Sequence, residues 1–222
     1  MVSTYDVPPI RAVIFDFHAT LVDQGDPDTW LDQALARADM ATPLDVSERA
    51  ALLRRLDDIW IHAREVDPRS ERDLSADLHH DVFHDVMRGH VPDDLRRALY
   101  EVMFDQWVAY EEAPRVIDEL RRRGIRTAIL SNIGIDLRPI MEREGLVPDA
   151  IVLSCEVGVV KPDPGIFEAA LAMLAARPEE TVMVGDNWAD DAAASALGIR
   201  TLILPRTRGR NHGLEIVLQL TD

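Results

Sequence analysis

The sequence predicts an α/β protein: a doubly wound parallel sheet with an α-helical unit inserted after its first strand. Three observations predict it. Short apolar runs without polar interruption, of which residues 12–15 are the first, read as strands buried on both faces. From Pro114 onward such runs alternate with segments of helical period, the rhythm of successive strand-helix-strand units. Between Gln24 and Glu111 the period is helical throughout and no strand pattern interrupts it.

Taken in order, the run Ala12 to Phe15 leads into Asp16 and so puts a carboxylate at the carboxyl end of the first strand. In open parallel sheets that edge is where ligands bind. The period of two turns Asp16 and His18 to one side. Asp28 or Thr29 caps a helix over residues 30–40, with Leu31, Ala34, Leu35 and Ala38 at helical spacing. Ser47 opens a longer helix over 48–64, and helices over 75–87 and 93–110 complete the insert. Pro114 suits a first helical turn, and Gly124 ends that helix. Strands over 127–130, 150–153, 181–184 and 201–204 then alternate with helices over 137–144, 165–174 and 190–197. Residues 214–220 read as a last helix or a frayed end. The α/β core domain therefore comprises residues 1–23 and 112–222, and the helical cap domain residues 24–111.

Composition narrows the function. The chain has 222 residues, 47% of them apolar, enough for one sizeable core with a smaller inserted domain. Its 40 acidic residues against 24 basic ones leave a net charge of -16. No nucleic acid and no acidic membrane surface is expected as partner, because phosphate backbones are bound by basic surfaces. One cysteine, Cys155, permits no internal disulfide. Residues 1–9 lack the pattern of a secretory leader, and no run approaches the length of a membrane span, so a soluble cytoplasmic protein is expected. Among the basic residues Lys161 is the sole lysine, a compact ammonium on a flexible stem where every other position carries arginine.

Each predicted strand of the core ends in groups able to handle a phosphate or a metal. Asp16 follows the first, Ser131 and Asn132 the second, Lys161 and Pro162 come after the third, and Gly185, Asp186 and Asn187 after the fourth. Singly these are ordinary helix caps and turn residues. Jointly and in this order, the stretches Asp16-Phe-His-Ala-Thr-Leu21, Leu130-Ser-Asn132, Gly158-Val-Val-Lys-Pro162 and Val184-Gly-Asp-Asn-Trp-Ala-Asp-Asp191 resemble the haloacid dehalogenase superfamily, in particular members with a helical cap. The resemblance covers nearly the whole chain and implies a Rossmann-like core. It also implies that Asp16 attacks phosphorus to form an aspartyl-phosphate. Mg²⁺ would sit between Asp16, Asp186 and the backbone carbonyl of His18, with Asp191 as a further partner. Ser131 and Asn132 would bind the phosphoryl group beside Ala19, and Lys161 would neutralise its charge and steady Asp16.

Two residues depart from the family pattern. Phosphatases of the family carry Asp two residues after the nucleophile, where this chain has His18, and Ala19 stands where Gly is usual. His18 either takes over the acid/base role, or leaves a slow enzyme or phospho-ligand sensor, or is a spacer as in the family's carbon-halogen and carbon-phosphorus enzymes. The carbon-phosphorus enzymes use a cap lysine, and this cap has none. The acidic pair Asp186 and Asp191 would repel a haloacid carboxylate unless a cation lay between them. A Mg²⁺-dependent hydrolase of a small phosphorylated metabolite is the expectation, as monomer or homodimer.

The cap holds five of the seven histidines, and His80 and His84 are spaced to share a metal, although no pattern fixes the remaining ligands and a solvated polar face is the better reading. Trp30, Trp60 and Trp107 are expected to pack the cap or its seam with the core. Arg64, Arg69 and Arg72 are candidate carboxylate or phosphate contacts whose spacing singles none out.

Overall fold

The computed structural model describes residues 7–38, 44–207 and 209–221. One sheet of five parallel strands runs in the order β3-β2-β1-β4-β5, with β1 Ala12–Phe15, β2 Arg126–Ser131, β3 Ala150–Leu153, β4 Thr181–Gly185 and β5 Arg200–Ile203. The inserted helices are α1 (Pro27–Ala38), α2 (Val46–Asp57), α3 (Ile59–Val66), α4 (Ala76–Met87) and α5 (Asp93–Met103). The core contributes α6 (Ala113–Arg122), α7 (Arg138–Glu144), α8 (Ser154–Val157), α9 (Pro164–Leu174) and α10 (Ile216–Leu220). The predicted doubly wound core is present. Among the described residues, no helix is long and apolar enough to cross a membrane.

The strands' period of two sorts their side chains between two faces. Val13, Phe15, Ile129 and Val184 join the cluster covered by Val116, Ile117 and Leu120 of α6, Met141 of α7 and Val217 of α10. Ala12, Ile14, Leu130 and Met183 join the cluster covered by Ile166, Phe167 and Ala170 of α9. Both faces are therefore dry, which is why these strands are continuous apolar runs. The first cluster passes without a break into Trp30, Leu31, Phe83 and Leu99 of the insert.

Several elements differ from expectation. The helix expected over 48–64 is broken at Asp58, whose φ of -102° and ψ of 17° end α2 and start α3. Aspartate is a poor interior residue but suits a helix start, where its charge meets the positive end of the dipole. α2 itself begins earlier, because Asp45 and Glu48 form a reciprocal capping box. The helix expected to reach Tyr110 stops at Met103, and the 3-10 turn Phe104–Gln106 follows. The chain must straighten there: Asp23 donates its N–H to Val108 C=O at 2.9 Å and Tyr110 donates to Leu21 C=O at 3.0 Å. The two ends of the insert thus leave and re-enter the core side by side. The stretch over 190–197 is 3-10 over Ala192–Leu197, its preceding Asp191 engaged elsewhere. The expected end of the first cap helix, at Met40, lies outside the described residues, as does most of the 1–9 segment.

A second contact fastens the insert across the sheet edge. The Ser154 hydroxyl donates to the Asp73 carbonyl at 2.5 Å and accepts from the Ile133 amide at 2.8 Å. Gly134 lies under the same segment, and a Cβ there would come within 2.2 Å of the Arg72 carbonyl oxygen and 2.5 Å of that of Ser75. Only glycine permits this approach. Gly134→Ala is expected to lower stability by about 1–3 kcal/mol through overpacking against main chain. Urea unfolding checks it, and an unchanged midpoint would mean that the Arg72–Ser75 backbone does not rest there.

Candidate active site

Strand β1 has β2 on one side and β4 on the other, so the strand order reverses beside it and a crevice opens at the carboxyl ends of β1 and β4. Asp16 leaves β1 into that crevice, its N–H donating to Val184 C=O at 2.8 Å. The loop that follows is tight: Leu21 and Val22 donate to Phe17 C=O, and Ala19 is held at φ 55°, the left-handed region, where a side chain is strained. That is the conformation that favours glycine at this position.

Four loops converge here. Lys161 Nζ donates to Asp16 Oδ1 at 2.5 Å and to Asp191 Oδ1 at 2.7 Å, and all three residues are buried. Asp191 Oδ2 accepts from the Asn187 amide at 3.0 Å. Asp186 pairs with Arg206, which enters from the loop after β5. Carboxylate oxygens of Asp16, Asp186 and Asp191 all lie within 4.8 Å of one another. Gly185 makes this possible, since a Cβ there would meet the Asp191 carboxylate at 2.1 Å.

The electrostatics follow from two buried carboxylates sharing one ammonium. Burial pushes the Asp16 and Asp191 carboxyls up, with Lys161 opposing. Burial opposes the Lys161 charge too, but the two carboxylates outweigh it and hold the ammonium protonated beyond its ordinary range. The group remains one positive charge short of neutral.

His18 lines the same crevice. Burial pushes its imidazole down to about 3, with His79, Lys161 and Arg206 adding to the effect, so the ring is neutral at physiological pH. The ring stands edge-on to Trp107 at 4.1 Å, and its buried Nε2 has no hydrogen-bond partner.

Ser131 is buried at the end of β2 and lines the cleft with Asp16, His18 and Lys161. Asn132 also lines it, but its amide is spent on main chain: Oδ1 accepts from Lys161 N at 2.7 Å and Nδ2 donates to Lys161 C=O at 3.0 Å. It positions the lysine. Ala19 falls on the far side, against a neighbouring cavity of about 300 Å³ bordered by Trp30, Trp107 and Tyr110.

The catalytic-edge cleft encloses about 410 Å³ and takes its other wall from the insert. Trp60, Arg64, Arg69, Arg72, Asp73 and His79 line it. All three candidate arginines reach the cleft, and burial separates them. Arg64 and Arg69 are exposed, Arg64 lying 3.8 Å from Asp190, whereas Arg72 is 6% exposed. Asp73 beside it is pushed up to about 7, by burial first, with Arg72 opposing and Asp67 and Asp190 adding. Sequence reading missed Arg206, although an arginine two residues past the predicted fifth strand belongs at the same edge. It also missed Asp73 and His79, which carry no local signal.

The His80 and His84 rings lie with centroids 4.1 Å apart, tilted by 35° to each other. Among the described residues, only Asp16, Asp186 and Asp191 form a cluster of three with metal-binding spacing, so the histidine pair lacks a third ligand. The carboxylate cluster does suit a hard divalent cation, which takes oxygen ligands. Asp191 has both oxygens engaged by Lys161 and Asn187, leaving Asp16 and Asp186 as the carboxylates with an oxygen to offer directly.

A family profile described as haloacid dehalogenase-like hydrolase matches residues 10–198. A phosphoserine phosphatase of Thermus thermophilus is 37% identical over 121 residues, 50% of this chain and 47% of that enzyme. The chain thus spans about half the length of that relative. An (S)-2-haloacid dehalogenase of a Pseudomonas species is 26% identical over 208 residues, 89% of this chain and 86% of that one. The crystal structure of an L-2-haloacid dehalogenase superposes with a TM-score of 0.70 at 20% identity, over 92% of this chain and 88% of the other, a likeness of fold.

Removing the shared ammonium strands two buried carboxylates. Lys161→Met is expected to cost about 3–5 kcal/mol at pH 8. The loss should shrink toward pH 4 as the carboxyls take up protons, and urea unfolding across that range checks it. A loss independent of pH would contradict the triad. Asp73, raised from 3.8 to about 7, stabilises the fold fully below pH 4 and loses that contribution as pH rises through 7. Asp73→Asn should match the parent protein in acid and exceed it above pH 7, by on the order of 2–4 kcal/mol.

Proposed function

As this chain belongs to the haloacid dehalogenase-like hydrolases, we propose that it is a Mg²⁺-dependent hydrolase of a small phosphomonoester, with Asp16 as nucleophile. The observation that carries this reading is the meeting of Asp16, Lys161, Asp186 and Asp191 at the sheet's switch point. A site meant only to bind a carboxylate would gain nothing from three carboxylates so close together, since like charges repel.

Lys161 holds Oδ1 of Asp16 and so leaves Oδ2 for the phosphoryl group. Oδ2 attacks phosphorus, the ester P–O bond breaks, and the leaving alkoxide takes its proton from water in the cleft, the His18 ring being neutral. Water then attacks the same phosphorus, the P–Oδ2 bond breaks, and inorganic phosphate leaves with Asp16 regenerated. Ser131 donates to a phosphoryl oxygen, Lys161 offsets its charge, and Asn132 keeps Lys161 in place. Asp16, Asp186 and the His18 carbonyl, with Asp191 behind them, would hold a Mg²⁺ ion, which when bound would offset charge on the phosphoryl oxygens. His18 Nε2 is buried and unpartnered, and with its imidazole pushed down to about 3 it is a weak acceptor for the proton of the attacking water. The insert closes one wall of the cleft and suits a small ligand over a polymer.

A second reading, hydrolysis of a carbon-halogen bond, is favoured by His18 standing where phosphatases of the family have Asp and by the long match to the haloacid dehalogenase. Asp186 in the acidic cluster weighs against it. Hydrolysis of an aryl phosphate is expected with Mg²⁺, to be lost on chelation and at least about 10³-fold reduced in Asp16→Asn. Metal-free release of chloride from a 2-haloacid would overturn the proposal in favour of the second reading. No turnover of a broad phosphate-ester panel would overturn it in favour of a phospho-ligand sensor. His18→Asp is expected to speed hydrolysis of alkyl phosphates about 10²-fold, and a loss of rate would assign the proton transfer to His18 itself.

A further inference from the structure

We propose that Arg72 anchors a carboxylate on the substrate, so that the ligand is a phosphorylated carboxylic acid spanning the cleft from the sheet edge to the insert. This inference rests on the phosphomonoester reading and names its substrate class.

The cleft has two unlike walls. The core side holds Asp16, Asp186, Asp190 and Asp191 against Lys161 and Arg206. The insert side holds Arg64, Arg69 and Arg72 against Asp73 alone. In a chain with a net charge of -16, three arginines within nine positions facing one cleft form a local reversal of sign. A phosphate on the core side would be offset by Lys161 and a divalent cation. On the insert side Arg64 lies 3.8 Å from Asp190, Arg69 pairs with Glu71 at 2.8 Å and Arg72 with Asp67 at 3.2 Å, so a second negative group would meet arginines already oriented by acidic neighbours.

Arg72 is the built member of the three. Arg64 and Arg69 have side chains 63% and 80% exposed, whereas that of Arg72 is 7% exposed. Its guanidinium is oriented from behind: Nη1 donates to Asp67 Oδ2 at 3.2 Å and to the Asp67 carbonyl at 3.4 Å. Asp67 is itself fixed, accepting from the Glu71 amide at 3.0 Å and the Arg72 amide at 2.9 Å. The backbone of Arg72 rests on Gly134, two residues past Asn132, and the next residue is tied to Ser154. One edge of the guanidinium is therefore locked, and the Nη2 side lies 3.5 Å from Asp73, an ion-pair distance too long for a good hydrogen bond. A planar carboxylate matches the remaining fork. Because Asp67 already balances most of the arginine charge, a singly charged carboxylate suits it better than a doubly charged phosphate.

Matched ligands test this by calorimetry on Asp16→Asn protein with Mg²⁺, where turnover is blocked. 3-Phosphoglycerate and glycerol 3-phosphate differ only in carboxylate against hydroxymethyl; 2-phosphoglycolate and ethyl phosphate form a shorter pair. At least one carboxylate ligand is expected to bind tenfold or more tightly than its partner. Adding Arg72→Gln should remove that preference and change the affinity for the partner without the carboxylate less than twofold. Should Arg72→Gln fail to fold, Arg72→Lys keeps the charge but loses the fork, and is expected to lose most of the preference with the same partner affinity. Equal affinity within both pairs, binding by no member of either pair, or equal weakening of both partners by the Arg72 variants overturns the proposal. Aryl phosphate hydrolysis by the unaltered protein is read separately: activity without carboxylate preference defeats this inference alone, and carboxylate preference in a protein without phosphatase activity defeats the phosphatase reading alone.

Discussion

One ammonium shared by two buried carboxylates is the constraint around which the site is assembled. Lys161 follows β3, Asp16 follows β1 and Asp191 follows β4, so the triad joins three crossovers that no local interaction brings together. Charges of this kind are costly to bury unless paired. Here one cation serves two anions, and the imbalance is what makes the cluster receptive to a further positive charge. Asn132 grips both the amide and the carbonyl of Lys161, so the loop after β2 holds the lysine from its main chain while the carboxylates hold its tip.

The insert is fixed to this assembly at two separated places. Its ends run together beside the loop that carries His18, and its Arg72–Ser75 segment lies on Gly134 and Ser154. The roof of the cleft is therefore referred to the loop after β2, the same loop that carries Ser131 and Asn132. A ligand touching both walls would be measured against one rigid frame, with Arg72 held from behind by Asp67. Polar groups so buried and so fully partnered orient a ligand at little entropic cost on binding.

How far the chain can be read without coordinates differs from residue to residue. Asp16, Lys161, Asp186 and Asp191 were legible because each follows a strand in a parallel sheet, and parallel sheets gather their strand ends at one edge. The solitary lysine was legible because of what surrounds it in composition. Asn132 was legible as a site residue but not in its manner of acting, since an amide that clasps main chain and one that binds phosphate have the same sequence. Arg206 and Arg72 were not singled out. Arg206 had a local signal in its place just past the fifth strand, whereas Arg72 depends on where the insert lands, and nothing within a few residues of it encodes that. The break at Asp58 and the early end of α5 are not legible because helical period continues through both; the first is a local change of backbone at an aspartate, and the second is imposed by long-range pairing of the insert's two ends.

By itself, then, the sequence determined the alternation of strands and helices, the two buried faces of the sheet and the identity of the groups at its carboxyl edge. These follow from periodicity and from local chemistry, which act over a few residues. Only the tertiary structure decided the protonation of His18, because desolvation and the nearness of Trp107, His79 and Lys161 are sums over distant parts of the chain. It likewise decided which of three similar arginines is buried and oriented, since that turns on Asp67, Gly134 and Ser154 meeting around a single segment.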